Sequence, residues 1–344
     1  MIFPQKLLAA LEKEMGWERK ALAKAAAALS ARYRGEREVL AGRYATSDED
    51  VAAYAAFRMP ATYAAARAVF VEVAERLPGY SPRSLLDVGA GPGTVMWAAA
   101  EVWPGIESVT IVEREGAMIR LGRRLAAAAS AALRNAVWIQ QDATGRWDAP
   151  SADLVVASYL LGELQPAAAG PLVERLWEKT RGILVLIEPG TPAGSARIVQ
   201  ARERLIAQGA HVVAPCPHPR KCPLGDGDWC HFAQRLPRTR WHREVKQGVL
   251  AYEDEKYSYV AVSRIPARPA SGRVIRHPRV HKGHVELTLC TLDGFESAVV
   301  SRKEGDRYRW ARKARWGSAL PDGDEVDRGL ERSAFSSEDE GQQV

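Results

Sequence analysis

The first 210 residues of this 344-residue chain contain no cysteine and no histidine. Any centre that needs soft ligands must therefore draw on the second part. There all four cysteines and all seven histidines lie, between His211 and Cys290. Four cysteines are too few to staple a chain of this length with disulfides, which points to a reducing compartment. No run of about 18 uncharged apolar residues occurs, so nothing reads as a membrane span. A secretory apolar core is also missing at the N-terminus, and Glu12, Glu14 and Glu18 distinguish it from acid-poor transit peptides. These absences together predict a cytoplasmic protein without a membrane partner.

Charge is present but unevenly spread. Residues 211–316 hold 21 Lys+Arg against 11 Asp+Glu, while residues 317–344 hold 2 against 8. The first window is thus +10 and the tail −6, within a net charge of +6. A basic module suits nucleic acid, because neutralising phosphates supplies affinity without regard to base sequence. A solvated basic surface would have the same composition.

The text divides into four parts. Residues 1–80 are alanine-rich and helically periodic, a lead-in with a packing role or a cap on the substrate side. Residues 81–265 alternate short apolar runs with helical stretches, the pattern of a parallel α/β sheet. Its strands are SLLDVGA, SVTIVER, AVWIQQD, ADLVVASYL and GILVLIEPG, with a cysteine-bearing, metal-binding insertion over 211–250. Residues 266–318 return to β-like text (GRVIRHPRV, HVELTLC, ESAVVSRK, RYRWARK), a small basic module. Residues 319–344 form an acidic tail expected to be disordered.

The first strand runs into Asp87-Val88-Gly89-Ala90-Gly91-Pro92-Gly93-Thr94. Glycines at 89, 91 and 93 let the backbone approach a ligand closely. Glu113 ends the second strand, where a carboxylate can accept both hydroxyls of a ribose. Asp142 follows the third, where it or its neighbours can meet an adenine amino group. Asp87 can take a direct or water-bridged contact to an amino-acid ammonium group. The pattern resembles the class I S-adenosylmethionine-dependent methyltransferases and lacks the third glycine of dinucleotide dehydrogenases. The resemblance implies a Rossmann-like sheet that binds S-adenosylmethionine.

No catalytic residue is evident. Where amino-directed nucleic-acid methyltransferases carry D/N/S-P-P-Y/F, this chain reads Ala157-Ser158-Tyr159-Leu160. No cysteine is placed to attack a pyrimidine ring. Tyr159 and Glu163 could face a substrate, although capping the strand is the plainer reading. Methyl transfer from a sulfonium can proceed by positioning alone, so the lack of a base does not exclude it.

The cysteines follow C-x5-C-x7-C, with Cys290 60 residues further on. Zinc ribbons favour C-x2–4-C pairs, which are absent. A radical enzyme needs three clustered cysteines in a spacing that is also absent. The residues themselves leave two ligand sets open. Four thiolates would fill a cubane cluster, making it structural or redox-sensing. Alternatively, zinc would take Cys216, Cys222 and Cys230 with Cys290 or a histidine, His218 or His231.

The segments DVGAGPGT, ASYLLGEL, LIEPGTP, PCPHPRKCPL, WCHFAQRLPR, KYSYVAVSR and Cys290 before Asp293-Gly294 occur here in one order. In this the chain resembles the methyltransferase-like assembly factors of the mitochondrial small ribosomal subunit and their bacterial relatives, over roughly residues 80–316. The resemblance implies that Cys216, Cys222, Cys230 and Cys290 bind a [4Fe–4S] cluster. It implies contact with small-subunit ribosomal RNA, by a protein monomeric off the ribosome. It also implies that KYSYVAVSR is the sixth strand of the sheet. Trp229, Phe232 and Trp241, set among Arg, Lys and His, are then candidate partners for unstacked bases.

Overall fold

A computed structural model describes residues 3–14, 48–225, 227–237 and 252–321. The middle of the helical lead-in, the basic stretch around Trp241 and nearly all of the acidic tail lie outside the described residues. The chain divides into two compact units, Met1–Pro215 with Pro219–Pro269, and Cys216–His218 with Ala270–Val344.

The first unit is a doubly wound α/β sheet. After α1 (Gln5–Glu14), α2 (Asp48–Phe57) and α3 (Met59–Arg76) come β1 (Ser84–Val88), α4 (Thr94–Val102) and β2 (Ser108–Glu113). Next are α5 (Gly116–Ala126), α6 (Ala131–Arg134), β3 (Val137–Gln140) and β4 (Ala152–Ser158). Then follow α7 (Pro166–Glu178), β5 (Thr180–Pro189), α8 (Pro192–Ala207), β6 (His211–Ala214), β7 (Phe232–Pro237) and β8 (Tyr252–Ser263). The strand order is β3-β2-β1-β4-β5-β8-β6, with β7 paired to β8. Strands β1 to β5 are parallel, and β8 runs antiparallel to β5, β6 and β7. This is the expected Rossmann-like α/β arrangement, as a mixed sheet.

Burial on both faces explains the continuous apolar text of the central strands. Leu85, Val156, Val185 and Ala261 join one core with α3, α4 and α5. Leu86, Val155, Leu184 and Val260 join the other with α7 and α8. Strand order reverses between β1 and β4, and a ligand crevice opens beyond the carboxyl ends of strands at such a point.

The segment expected as the sixth strand, KYSYVAVSR, is instead the second half of β8, inserted between β5 and β6. The sixth strand is His211–Ala214, at only four residues too short to show a period. The 211–250 segment also contains β7, whose proline and arginines read as loop in the sequence.

The second unit contains a four-stranded antiparallel sheet of β9 (Gly272–Val274), β10 (Arg279–Val280), β11 (His284–Thr291) and β12 (Gly294–Ser301). Val285, Leu287, Leu289, Ala298 and Val300 form its core with Tyr308 and Ala311. RYRWARK, expected as a strand, is helical in α9 (Asp306–Ala311). Its aromatics and charges alternate, but Tyr308 and Ala311 reach the core with the three-residue spacing of a helix. A capping box, Ser301 with Glu304, starts the helical turn just before it.

Among the described residues no helix is long and apolar enough to cross a membrane.

Gly122 of α5 lets that helix lie against the Trp138 ring and the Pro92 carbonyl, so any Cβ there collides with both. Because Pro92 belongs to the backbone of the glycine turn, the clash cannot relax by rotamer change alone. Gly122→Val should lower unfolding free energy by about 1–3 kcal/mol, the usual range for overpacking. Denaturant titration checks this, and an unchanged midpoint would show that the helix can shift without cost.

Candidate functional site

The glycine turn leaves β1 with Gly89, Gly91 and Gly93 all at positive φ (71°, 56° and 76°), a region side chains other than glycine's rarely tolerate. Gly89 N–H donates to the Val112 carbonyl at 2.8 Å, and Gly91 N–H donates to Glu113 Oε2 at 2.8 Å. Glu113 Oε1 accepts from the Glu115 N–H at 2.7 Å. One carboxylate thus bridges the turn after β1 and the exit of β2.

Gly89, Gly91, Glu113 and Asp142 line one cavity of about 100 Å³, together with Tyr54, Arg114, Glu115, Met118, Tyr159, Leu160 and Glu163. Gly93 does not line it; this residue caps α4 in a left-handed conformation, close to Trp138 and Met96. Asp87 does not line it either. Asp87 lies fully buried in register with Ile111 and Val156, and neither carboxylate oxygen has a hydrogen-bond partner among the described residues. Burial, reinforced by the nearby Glu113 charge, holds its carboxyl well above the usual range.

Four of the lining side chains are carboxylic acids and one, Arg114, is a lysine-or-arginine cation. Their environments differ. Asp142 accepts from the Thr144 hydroxyl (2.6 Å) and N–H (2.8 Å) and from Arg114 (3.3 Å), which holds its carboxyl low. Burial raises Glu113, against the backbone bonds it accepts from Glu115, Gly91 and Arg114. Burial and the adjacent Glu113 push the Glu163 carboxyl up to about 8. The cavity therefore favours a ligand that brings positive charge or hydroxyl donors.

A second cavity of about 240 Å³ shares Tyr54, Tyr159 and Glu163 with the first, and adds Arg58, Thr62, Glu188, Thr191 and Arg197. Neither cavity alone reaches the roughly 300 Å³ of ordinary small-molecule sites, but together they do. Tyr159 stands where they meet. It has a positive φ of 57°, a strained conformation for an aromatic residue that persists only under local constraint. Its hydroxyl donates to Glu255 Oε1 at 2.9 Å, and Arg58 pairs with the same carboxylate at 3.2 Å. Glu188 accepts the Leu161 N–H at 2.9 Å and pairs with Arg197 at 3.3 Å; burial still pushes its carboxyl up to about 7.

Tyr54 and Arg58 come from the lead-in helices, and no local pattern marked them as pocket residues. Tyr159 and Glu163, read from sequence as plain strand caps, line both cavities.

The four cysteines are half-buried and none forms a disulfide. Cys216 and Cys290 lie in the second unit with His218, and Cys290 Sγ is 3.7 Å from His218 Nε2. Cys222 and Cys230 lie in the first unit, lining a cavity of about 340 Å³ beside α8 with Trp229.

Residues 48–321 match the sequence model of the family described as mitochondrial small ribosomal subunit Rsm22. The chain belongs to this family. It is 32% identical to the human mitochondrial ribosome assembly protein METTL17, over 78% of this chain and 62% of that protein. Two Schizosaccharomyces pombe relatives, the mitochondrial Rsm22-cox11 tandem proteins 1 and 2, are 28% identical over 80% of this chain and 43% of their own. The chain thus spans about three-fifths of the human relative and less than half of the yeast ones. Among solved structures, magnesium protoporphyrin IX methyltransferase from Synechocystis with bound SAM covers 69% of this chain and 90% of its own. Its TM-score is 0.41 at 13% identity, a likeness too loose to carry weight for function.

These matches correct the cytoplasmic location expected from the sequence. The family and all three relatives are mitochondrial, which points to that compartment instead. The expectation rested on reduced thiols and on acids near the N-terminus, and free thiols do not by themselves distinguish one reducing compartment from another.

A carboxyl raised in the folded state contributes stability that is complete below its unfolded value and lost as pH rises through its folded one. For Glu163 that window runs from about pH 4.5 to about 8. Glu163→Gln should therefore gain melting temperature over the parent between pH 5 and pH 9. Parallel melting curves with no pH-dependent gap would show that the carboxyl is solvated.

Proposed function

We propose that this chain binds S-adenosylmethionine over its glycine turn and serves the small ribosomal subunit as an RNA-contacting assembly factor. The charge of the pocket carries the first half. Glycine turns of doubly wound folds commonly cradle phosphates. Here a phosphate would meet Glu113, Glu115, Asp142 and Glu163, with Arg114 opposing them. S-adenosylmethionine carries a sulfonium and an ammonium, and both suit such a lining. Its ribose hydroxyls suit the remaining lone pairs of Glu113, and its adenine amino group suits the surroundings of Asp142. Asp87, expected from the sequence to meet the ammonium group, is fully buried behind this lining, so the ammonium falls to the carboxylates that line the cavity. The bound cofactor would supply an activated methyl group.

We assign the pocket binding rather than turnover. Tyr159 occupies the place of the amino-methylation tetrad, and its hydroxyl is committed to Glu255. The ribosomal half rests on family membership and on the +10 window of residues 211–316.

We also propose that Cys216, Cys222, Cys230 and Cys290 hold a [4Fe–4S] cluster. The family resemblance and four half-buried cysteines outside any disulfide support it. With every iron ligated by thiolate, such a cluster would be structural or redox-responsive. Zinc is the second reading, favoured by the 3.7 Å between Cys290 Sγ and His218 Nε2. Two ligands of one tetrahedral zinc stand about 3.6 Å apart, given the usual bond lengths.

Titration calorimetry with S-adenosylmethionine and with NAD tests the cofactor. Micromolar binding of the former is expected, with at least a tenfold loss in Glu113→Ala; preference for NAD would end the reading. Metal analysis of anaerobically purified protein tests the centre. About four irons with matching sulfide are expected, and stoichiometric zinc without iron would replace the cluster by the second reading.

A further inference from the structure

We propose that the outward face of the β11–β12 ribbon is a stacking platform for single-stranded RNA. This rests on the RNA-directed reading above and assigns it a surface.

Side chains alternate across a strand, so the register sorts the ribbon into two faces. Val285, Leu287 and Leu289 of β11, with Ala298 and Val300 of β12, face the core. The other face pairs His284 with Ser301, Glu286 with Val299, Thr288 with Ser297, and Cys290 with Phe295. A solvated face ordinarily carries polar residues. This one exposes Phe295 at 48% and Val299 at 57%.

The surroundings indicate what covers the apolar groups. The Arg276 guanidinium lies 5.8 Å from the Phe295 ring and 5.4 Å from that of Trp316, and His277 meets Trp316 edge-on at 5.2 Å. At the opposite end, where β10 turns into β11, His281 and His284 stack at 4.4 Å. Flat π surfaces therefore lie near both ends of a strip seven residues long, about 20 Å at strand rise. The Glu286 carboxylate between them is paired with Arg279 at 3.3 Å.

Residues 270–321 carry 11 Lys+Arg against 5 Asp+Glu. The strands themselves are charge-balanced, and the positive excess lies in the segments that flank them, Arg276, Lys282 and residues 302–315. Exposed rings flanked by basic segments suit unstacked bases, whose faces a duplex hides. A protein partner would be served by Phe295 and Val299 but would leave the excess of positive charge unexplained.

The test is fluorescence anisotropy of full-length protein with a 12-nucleotide unstructured RNA and with an RNA duplex of 12 base pairs, across a salt series. Phe295→Ala should weaken binding of the single strand about five- to one-hundred-fold, the effect of one lost base stack. Its log–log salt slope should stay as in the parent, since no phosphate contact is removed. Arg302→Ala with Lys303→Ala should flatten that slope. Phe295 is exposed, so an unchanged melting temperature certifies the variant. If Phe295→Ala binds like the parent, the platform is refuted and the apolar strip is left to a protein partner. If the parent shows no salt-sensitive affinity for either RNA, the RNA reading itself falls, and the platform with it.

Discussion

Glu113 accepts backbone hydrogens from Gly91 in the turn after β1 and from Glu115 just past β2. The candidate site depends on this bridge. Without it the turn would be tied to β2 mainly by the hydrogen bonds that Gly89 and Ala90 give to the Val112 carbonyl. With it, three left-handed glycines are held in a shape that leaves backbone exposed to a ligand. The cost is a carboxylate taken largely out of water, its pKa raised by burial and only partly restored by the backbone bonds it accepts. That cost spreads to Asp87 beneath and Glu163 opposite, whose carboxyls it helps to hold up. Acids crowded in this way hold their protons in the free protein, and a cationic ligand would favour the ionised forms.

The parts of this site that sequence reveals are those fixed by chain order. Strand, glycine turn and helix follow one another within a dozen residues, and Glu113 and Asp142 close the next two strands. Local pattern suffices because each residue's place is set by the strand it terminates. Tyr54 and Arg58 are different. They reach the site from an alanine-rich helical segment whose text reports only helicity, and tertiary packing alone turns Tyr54 toward the cavity. Tyr159 is intermediate: its position after β4 is readable, but its left-handed backbone depends on Glu255, 96 residues away.

The same distinction explains the fold. Strands β1 to β5 are buried on both faces and stand out as apolar runs. The first half of β8 carries Glu253, Asp254 and Glu255, and it is a strand because β7 pairs with it. Arg235 meets Asp254 across that pair at 2.8 Å, an exposed contact worth little on its own that nevertheless matches the register. The helix at Asp306–Ala311 shows the opposite error. Alternating aromatics and charges suggested a strand, although Ser301-x-x-Glu304 announced a helical start.

The two units present opposite electrostatic surfaces for physical reasons that fit separate tasks. Carboxylates concentrate in the pocket of the first unit, where a polyanion would be repelled at close range. In the second unit basic residues flank a sheet face that exposes Phe295, where, on the proposal above, a polyanion would be attracted at long range and its bases stacked. An RNA drawn by the second unit would thus be discouraged from entering the cofactor pocket as phosphate. Only a neutral or cationic group, such as a base turned away from its own backbone, could approach Glu163 and Tyr159 without that penalty. On the proposed function, charges separated in this way would let one chain bind a cationic small molecule and an anionic polymer without competition between them.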